Sequence, residues 1–232
     1  MSLTQSQIAR QERMLEVATR LATEGGFDAV QMRTVAEDAD VALGTLYRYF
    51  PSKEHLLVSA MLRQIGELAG RLTVKPPAGS DATERVIDVL RRANLALQRQ
   101  PHFTLAVVRA LASGDETVAP AVRQVRVSMR SIILAAIGEG TTARDELVGE
   151  VPEEVWLSAL VSWISGGDSA QSVIRKLQAA TTLLFEARDC LGRRGRRAAR
   201  PRRRQRPRPA PRSAHRAARA GHHVRAPRRR AV

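Results

Sequence analysis

Apolar positions recur along the first 186 residues at the three- and four-residue spacing of amphipathic helices, and the pattern dissolves beyond them. Residues 6–24 set Ile8, Leu15, Ala18, Leu21 and Ala22 on one inward face, and Gly25 and Gly26 end the stretch. Phe27 follows as a plug for a small core. In MRTVAEDADVALG, Val35 and Ala36 point inward while Glu37 and Asp38 point out, which predicts a short helix. Leu46 and Phe50 are four apart and share a face, so Thr45, Tyr47, Arg48 and Tyr49 point elsewhere. Gly44 is expected to supply the tight turn ahead of them. Pro51 stops that helix, and Ser52 caps a longer one expected from Lys53 to about Leu72.

KPPAGS, residues 75–80, reads as a linker. Ser80 or Asp81 then caps a helix, with Glu84 at the capping-box position and Val86, Leu90, Ala93 and Leu97 inward until Pro101. HFTLAVVRALAS is a short apolar helix ended by Gly114. Another follows Pro120, carrying Val122, Val125, Met129, Ile132, Ile133, Ala136 and Ile137 up to Gly138 and Gly140. GEGTTA, residues 138–143, matches a dinucleotide-binding pattern in form, but it follows a helix rather than a strand and reads as a loop. PEEVWLSALVSWISGG predicts a helix opening at Pro152 and apolar on nearly every side, which must be covered on two sides. Asp168 or Ser169 caps the last helix, with Val173, Leu177, Ala180, Thr181 and Leu184 as its stripe.

The chemistry concentrates in residues 41–57. Both tyrosines of the chain, Tyr47 and Tyr49, lie there, in a protein that is only 3% aromatic. A helix face of two phenols, a hydroxyl and one arginine differs from the Glu and Lys of a solubilising surface. Phenols and hydroxyls donate to phosphate oxygens, and arginine can fork onto guanine in the major groove. The helix start at Ser52, with Lys53 beside it, reads as a phosphate seat. Two short helices in this order predict a helix-turn-helix whose second member reads double-stranded DNA. No nucleophile motif, paired carboxylates or metal-ligand spacing suggests an enzyme, a cofactor or a metal site.

Composition changes the picture in one place. The net charge of +15 invites a nucleic-acid reading of the whole chain, yet 18 arginines against Asp189 alone lie from Ala187 onward, and residues 1–186 hold 20 basic and 22 acidic groups. The DNA reading therefore rests on the local face around residues 44–53. Beyond about Arg193 the Arg, Pro and Ala composition cannot bury a core and is expected to be disordered. That tail is a sequence-blind grip on phosphates, a solvated extension, or a reading-frame artefact of a GC-rich gene. In the first case an architectural, non-specific nucleic-acid-binding protein is the rival function. No apolar run reaches the roughly 18 residues of a membrane span, the first eleven residues are too polar for a signal peptide, and the lone Cys190 allows no internal disulfide, so a cytoplasmic protein is expected.

Residues 9–62 resemble the N-terminal domain of TetR-type transcriptional repressors, on Gly26, Phe27, Ala29, Arg33, Val35, Ala36 and the whole of GTLYRYFPSK. Within that family the likeness is densest to repressors of sterol-degradation genes, through QMRTVAEDADVALGTLYRYFPSKEHLLVSAM, NLALQRQP and WLSALVSW. The resemblance implies an all-α chain: a helix-turn-helix domain at 7–67, a helical effector-binding and dimerisation domain at 68–187, and the disordered tail at 188–232. It implies DNA contacts at Arg33, Thr34, Gly44, Thr45, Tyr47, Arg48, Tyr49 and Lys53. It also implies a small hydrophobic effector, an acyl-CoA thioester among the candidates, in a pocket with Leu97, Phe103, Val107, Leu111, Met129 and Trp163. The last two long helices would form a homodimer interface through Trp156, Leu160, Val173, Leu177 and Leu184, placing two readers on a palindromic operator.

Overall fold

Thr4 opens α1 (Gln5–Ala29) with a capping box, its hydroxyl accepting from the Gln7 amide while the Gln7 side chain accepts from the Thr4 amide. The computed structural model describes the backbone of residues 4–138 and 143–198, and their side chains except those of 143–149 and 191–198. Met14, Leu15, Ala18 and Ala22 are buried, whereas Ile8, expected inward, is 47% exposed. It lies a turn ahead of Glu12 and Glu16, where Arg63 of α4 meets α1. The helix breaks at Gly26, whose φ of 72° and ψ of −158° suit glycine alone.

The chain then turns into α2 (Met32–Asp38) and α3 (Leu43–Tyr49). The turn between them corrects the sequence expectation. Asp40, with φ 52°, is the one non-glycine residue of positive φ among the described residues, and Gly44 lies inside the first turn of α3. Aspartate tolerates the left-handed region, so no glycine is needed there. Phe50 closes α3, and Ser52 caps α4 (Lys53–Val74), accepting from the His55 amide at 3.1 Å.

Beyond α4 the linker is strapped to α5 (Ala82–Gln98). Arg92 donates to the carbonyls of Lys75 and Pro76 at 2.8 and 3.2 Å, and Asp88 accepts from the Ala78 amide at 3.0 Å. Burial pushes the Asp88 carboxyl up, but its bonds from Ala78, Arg91 and Arg92 together hold it below the usual range. Asp81 caps α5 by accepting from the Glu84 amide, and Glu84 reaches back to Ser80. Then come α6 (Pro101–Leu111), a 3-10 turn at Glu116–Val118, α7 (Ala119–Ile137), α8 (Ala143–Ile164) and α9 (Ala170–Ala198).

α4 packs on α1, α6 and α7; α5 packs on α7 and α9; α8 packs on α9 and α7. One buried cluster runs from Met14 to Phe185 through both halves. Pro152 does not open α8 but lies inside it, nine residues past the start, where it cannot donate to the carbonyl of Val148. α9 continues through Ala198, so residues 188–198 are helical and the tail as first delimited begins too early. Residues 139–142, within the GEGTTA stretch, and 199–232, the rest of the tail, lie outside the described residues. Among the described residues no helix is long and apolar enough to cross a membrane, and no cluster of side chains could hold a metal ion.

Candidate nucleic-acid interface and ligand cavity

α3 is a seven-residue helix with no side-chain cap, held by Leu46 at 0% and Phe50 at 1% exposure. Those two anchors fix what faces out. Tyr47 is 47% exposed, Arg48 and Gly44 are exposed, and Thr45 and Tyr49 are half-buried. The Arg48 guanidinium stands 5.9 Å from the centre of the Tyr49 ring, a contact that orients it. A Cβ built on Gly44 would meet nothing within 4 Å, so the glycine leaves an open approach to the backbone of the helix. Arg33 is exposed and Thr34 half-buried on α2 beside it.

The Lys53 ammonium donates to the Phe27 carbonyl at 3.3 Å and lies 4.1 Å from the Phe27 ring centre, contacts that hold it beside the start of α4. The free amides in the first turn of α4 remain for a phosphate contact. The Phe27 ring also takes the Arg109 guanidinium of α6 at 4.1 Å, and Arg109 pairs with Asp28. Through Phe27 of α1, the start of α4 is tied to α6 of the second half. Gln100, at the start of α6, accepts from Thr23 of α1 and Gln64 of α4. Ser52 and Thr117 hydroxyls meet at 3.5 Å, and Asp115 beside them raises the His55 pKa against a larger lowering by burial.

Behind these contacts lies a cavity of about 630 Å³. Of the six residues expected in the pocket, Leu97, Val107, Leu111 and Met129 line it. Phe103 is fully buried in the core, and Trp163, half-buried further along α8, is not on the wall. Trp156 takes that place, its indole donating to Asn94 at 3.1 Å. Met61 and Ile65 bring α4 itself onto the wall. A second cavity of about 910 Å³ shares Met61, Ile65, Leu97, Met129 and Trp156 with the first and is lined in addition by Arg71, Lys75, Arg91, Arg92 and Arg99. The first chamber is mainly apolar and the second mainly basic, with Glu67 also on the second wall and Arg71, Arg91 and Arg92 paired with the carboxylates of Glu67 and Asp88. Sequence reasoning missed the basic residues, which read along the chain as the wet faces of α4 and α5.

The residues expected at a dimer face are mostly interior. Trp156 and Leu160 line the apolar cavity, Val173 and Leu177 are 0% and 2% exposed, and Leu184 is half-buried. α9 packs its stripe of Val173, Leu177, Thr181 and Phe185 inward, with α5 among its neighbours, which is the physical reason. Among the described residues, the large apolar side chains that α8 and α9 leave outside are Val151, Leu157, Val161 and Leu183, the last at 65% exposure.

Residues 14–60 match the profile for bacterial regulatory proteins of the tetR family, and residues 79–184 match the tetracyclin repressor-like C-terminal domain. The chain belongs to the TetR family. This TetR protein is 42% identical over 181 residues to the HTH-type transcriptional repressor KstR of Rhodococcus jostii (strain RHA1), covering 78% of this chain and 84% of the relative. A solved TetR transcriptional regulator from Rhodococcus sp. RHA1 is similar at a TM-score of 0.72 and 35% identity, over 78% of this chain and 97% of that one. Bacillus subtilis FadR, solved with stearoyl-CoA, shares the TetR fold at a TM-score of 0.54 and 18% identity, over 75% and 96% of the two chains. The TetR chain described here is accordingly a DNA-binding transcription regulator.

Proposed function

We propose that this chain is a homodimeric repressor of lipid or sterol catabolism genes, bound to a palindromic operator through α3 and released by an acyl-CoA thioester. One observation carries the reading: an apolar chamber and a basic chamber share five wall residues, two of them on α4. An acyl-CoA has the same two halves, an apolar acyl body and a nucleotide with several phosphate charges. Arginines and lysines meet the phosphates, and the apolar wall takes the acyl group. The relatives agree with this division, KstR being a repressor and the B. subtilis FadR structure holding stearoyl-CoA.

The effector fills space against Met61 and Ile65 of α4 and against Val107 and Leu111 of α6. α4 begins directly behind α3, and α6 holds Phe27 through Arg109, so both walls bear on the placement of the reading helix. In a dimer the two reading helices serve successive major grooves about 34–36 Å apart, and a tilt of α4 changes that separation. A coupling of about 1–3 kcal/mol gives a 5- to 150-fold loss of operator affinity. The outward Leu157, Val161 and Leu183 supply an apolar face for the second copy.

Footprinting of DNA upstream of the chain's own gene, with and without fatty and sterol acyl-CoA thioesters, tests this. A two-fold protected site whose affinity falls at least fivefold with a thioester, and not with free coenzyme A, is expected. An operator affinity indifferent to every thioester would remove the effector half of the proposal.

A further inference from the structure

The hydroxyl that caps α4 belongs to a chain of hydrogen bonds that ends in the second half of the molecule. Ser52 Oγ accepts from the His55 amide at 3.1 Å and meets Thr117 Oγ1 at 3.5 Å, in the 3-10 turn Glu116–Val118. The Thr117 hydroxyl donates to Asp115 Oδ1 at 2.7 Å, and the Thr117 amide donates to the same oxygen at 2.9 Å. A hydroxyl has one proton to give. With its proton committed to the carboxylate, Thr117 can only accept from Ser52, and the lone pairs of Ser52 are left for the cap. The chain therefore has one direction, from the His55 amide through two hydroxyls to a carboxylate, and each bond polarises the next.

Both ends of it are anchored. Asp115 lines the apolar cavity together with Ser113, Gly114, Glu116 and Val118 of the same segment. Val118, at 2% exposure, fixes the turn where it packs on α4 and α7. At the other end, the His55 ring lies 6.0 Å from the ring of Phe50, the buried residue that closes α3. The Asp115 carboxyl is held below the usual carboxylate range, first by the Thr117 hydroxyl, then by the Thr117 amide and the Ser52 hydroxyl, so the ionised form terminates the chain at neutral pH.

We infer that Asp115 is a positioning residue for DNA binding: acting through Thr117, it holds Ser52 in the orientation that caps α4, and so fixes where α3 stands. The inference rests on α3 as the DNA-contacting helix, as read above, and is independent of which molecule fills the cavity. Without Asp115 the Thr117 proton is released, and Ser52 loses the acceptor that oriented it. Loss of an N-cap shifts the opening equilibrium of a helix end by about two- to thirtyfold.

Hydrogen exchange of the full chain followed by mass spectrometry, with titration of the operator duplex recovered by footprinting, tests the inference without any effector. In Asp115→Ala and in Thr117→Val, amides between residues 43 and 56 are expected to exchange about fivefold faster and operator affinity to fall by about the same factor, while exchange in α9 is unchanged. The double variant should lose no more than either single one, because both break one chain. Asp115→Asn keeps an acceptor oxygen for Thr117 and should recover most of both properties. Unchanged exchange at 43–56, additive losses in the double variant, or no recovery in Asp115→Asn would overturn the role of Asp115 and leave the reading of α3 intact. Faster exchange with unaltered operator affinity would overturn α3 as the DNA contact, and the inference with it.

Discussion

Phe50→Ala is expected to lower the stability of the folded protein by about 3–5 kcal/mol and to abolish operator binding at temperatures where the unaltered protein still binds. α3 has seven residues and no side-chain cap, and a helix of that length does not form by itself in water. It exists because Leu46 and Phe50 are sunk in the core, at 0% and 1% exposure. The Phe50 ring also packs near His55 and Tyr49, with centroid separations of 6.0 and 6.3 Å, so its removal loosens the start of α4 as well as the end of α3. Urea denaturation followed by circular dichroism measures the loss. A cost below about 1 kcal/mol would mean that the site collapses without a cavity and that α3 is held by something other than its two anchors.

Arg48→Ala should leave the fold intact and weaken operator binding by about 1–3 kcal/mol, or 5- to 150-fold, with little change on random-sequence DNA. Arg48 is exposed, its guanidinium lies 5.9 Å from the centre of the Tyr49 ring, and no carboxylate among the described residues pairs with it. A bidentate base contact is lost only where the right base is present, so the loss belongs to the operator. Competition binding against operator variants measures it. Equal losses on operator and random DNA would make Arg48 a phosphate contact and move base reading to Thr45 and Tyr47.

The sequence carried α3 well because its signal is local. Leu46 and Phe50, four apart, fix which side is core, and Pro51 with Ser52 fixes where the next helix begins. Its failures have physical causes of the same kind at one remove. Gly44 attracted the turn because glycine is the usual residue of positive φ, but Asp40 adopts that conformation. Pro152 attracted a helix start because proline favours the first turn, yet the helix begins at Ala143 and continues through it. The contact of Lys53 with Phe27, 26 residues earlier in the chain, has no signal in the local spacing.

The cavity was legible only in part for a related reason. Helical spacing says which side chains point inward, and Leu97, Val107, Leu111, Met129 and Phe103 all do. It does not say which inward positions border empty space, so Phe103 falls in the packed core and the other four on the wall. Trp156 and Trp163 are seven apart on one helix, and nothing in their spacing distinguishes the one that lines the cavity. The basic residues of the second chamber acquire meaning only when α4 and α5 are brought together.

The claim beneath all of this is that α3, rather than the arginine-rich end of the chain, decides which DNA is bound. The affinities of the full chain and of a chain ending at Ala198, each measured on operator and on random-sequence DNA at one salt concentration, test it directly. The shortened chain is expected to bind both DNAs more weakly or equally well and to keep the same ratio between them, because arginine contacts to phosphate carry no sequence information. Loss of that ratio with the last 34 residues would contradict the claim and make the tail the DNA-binding element.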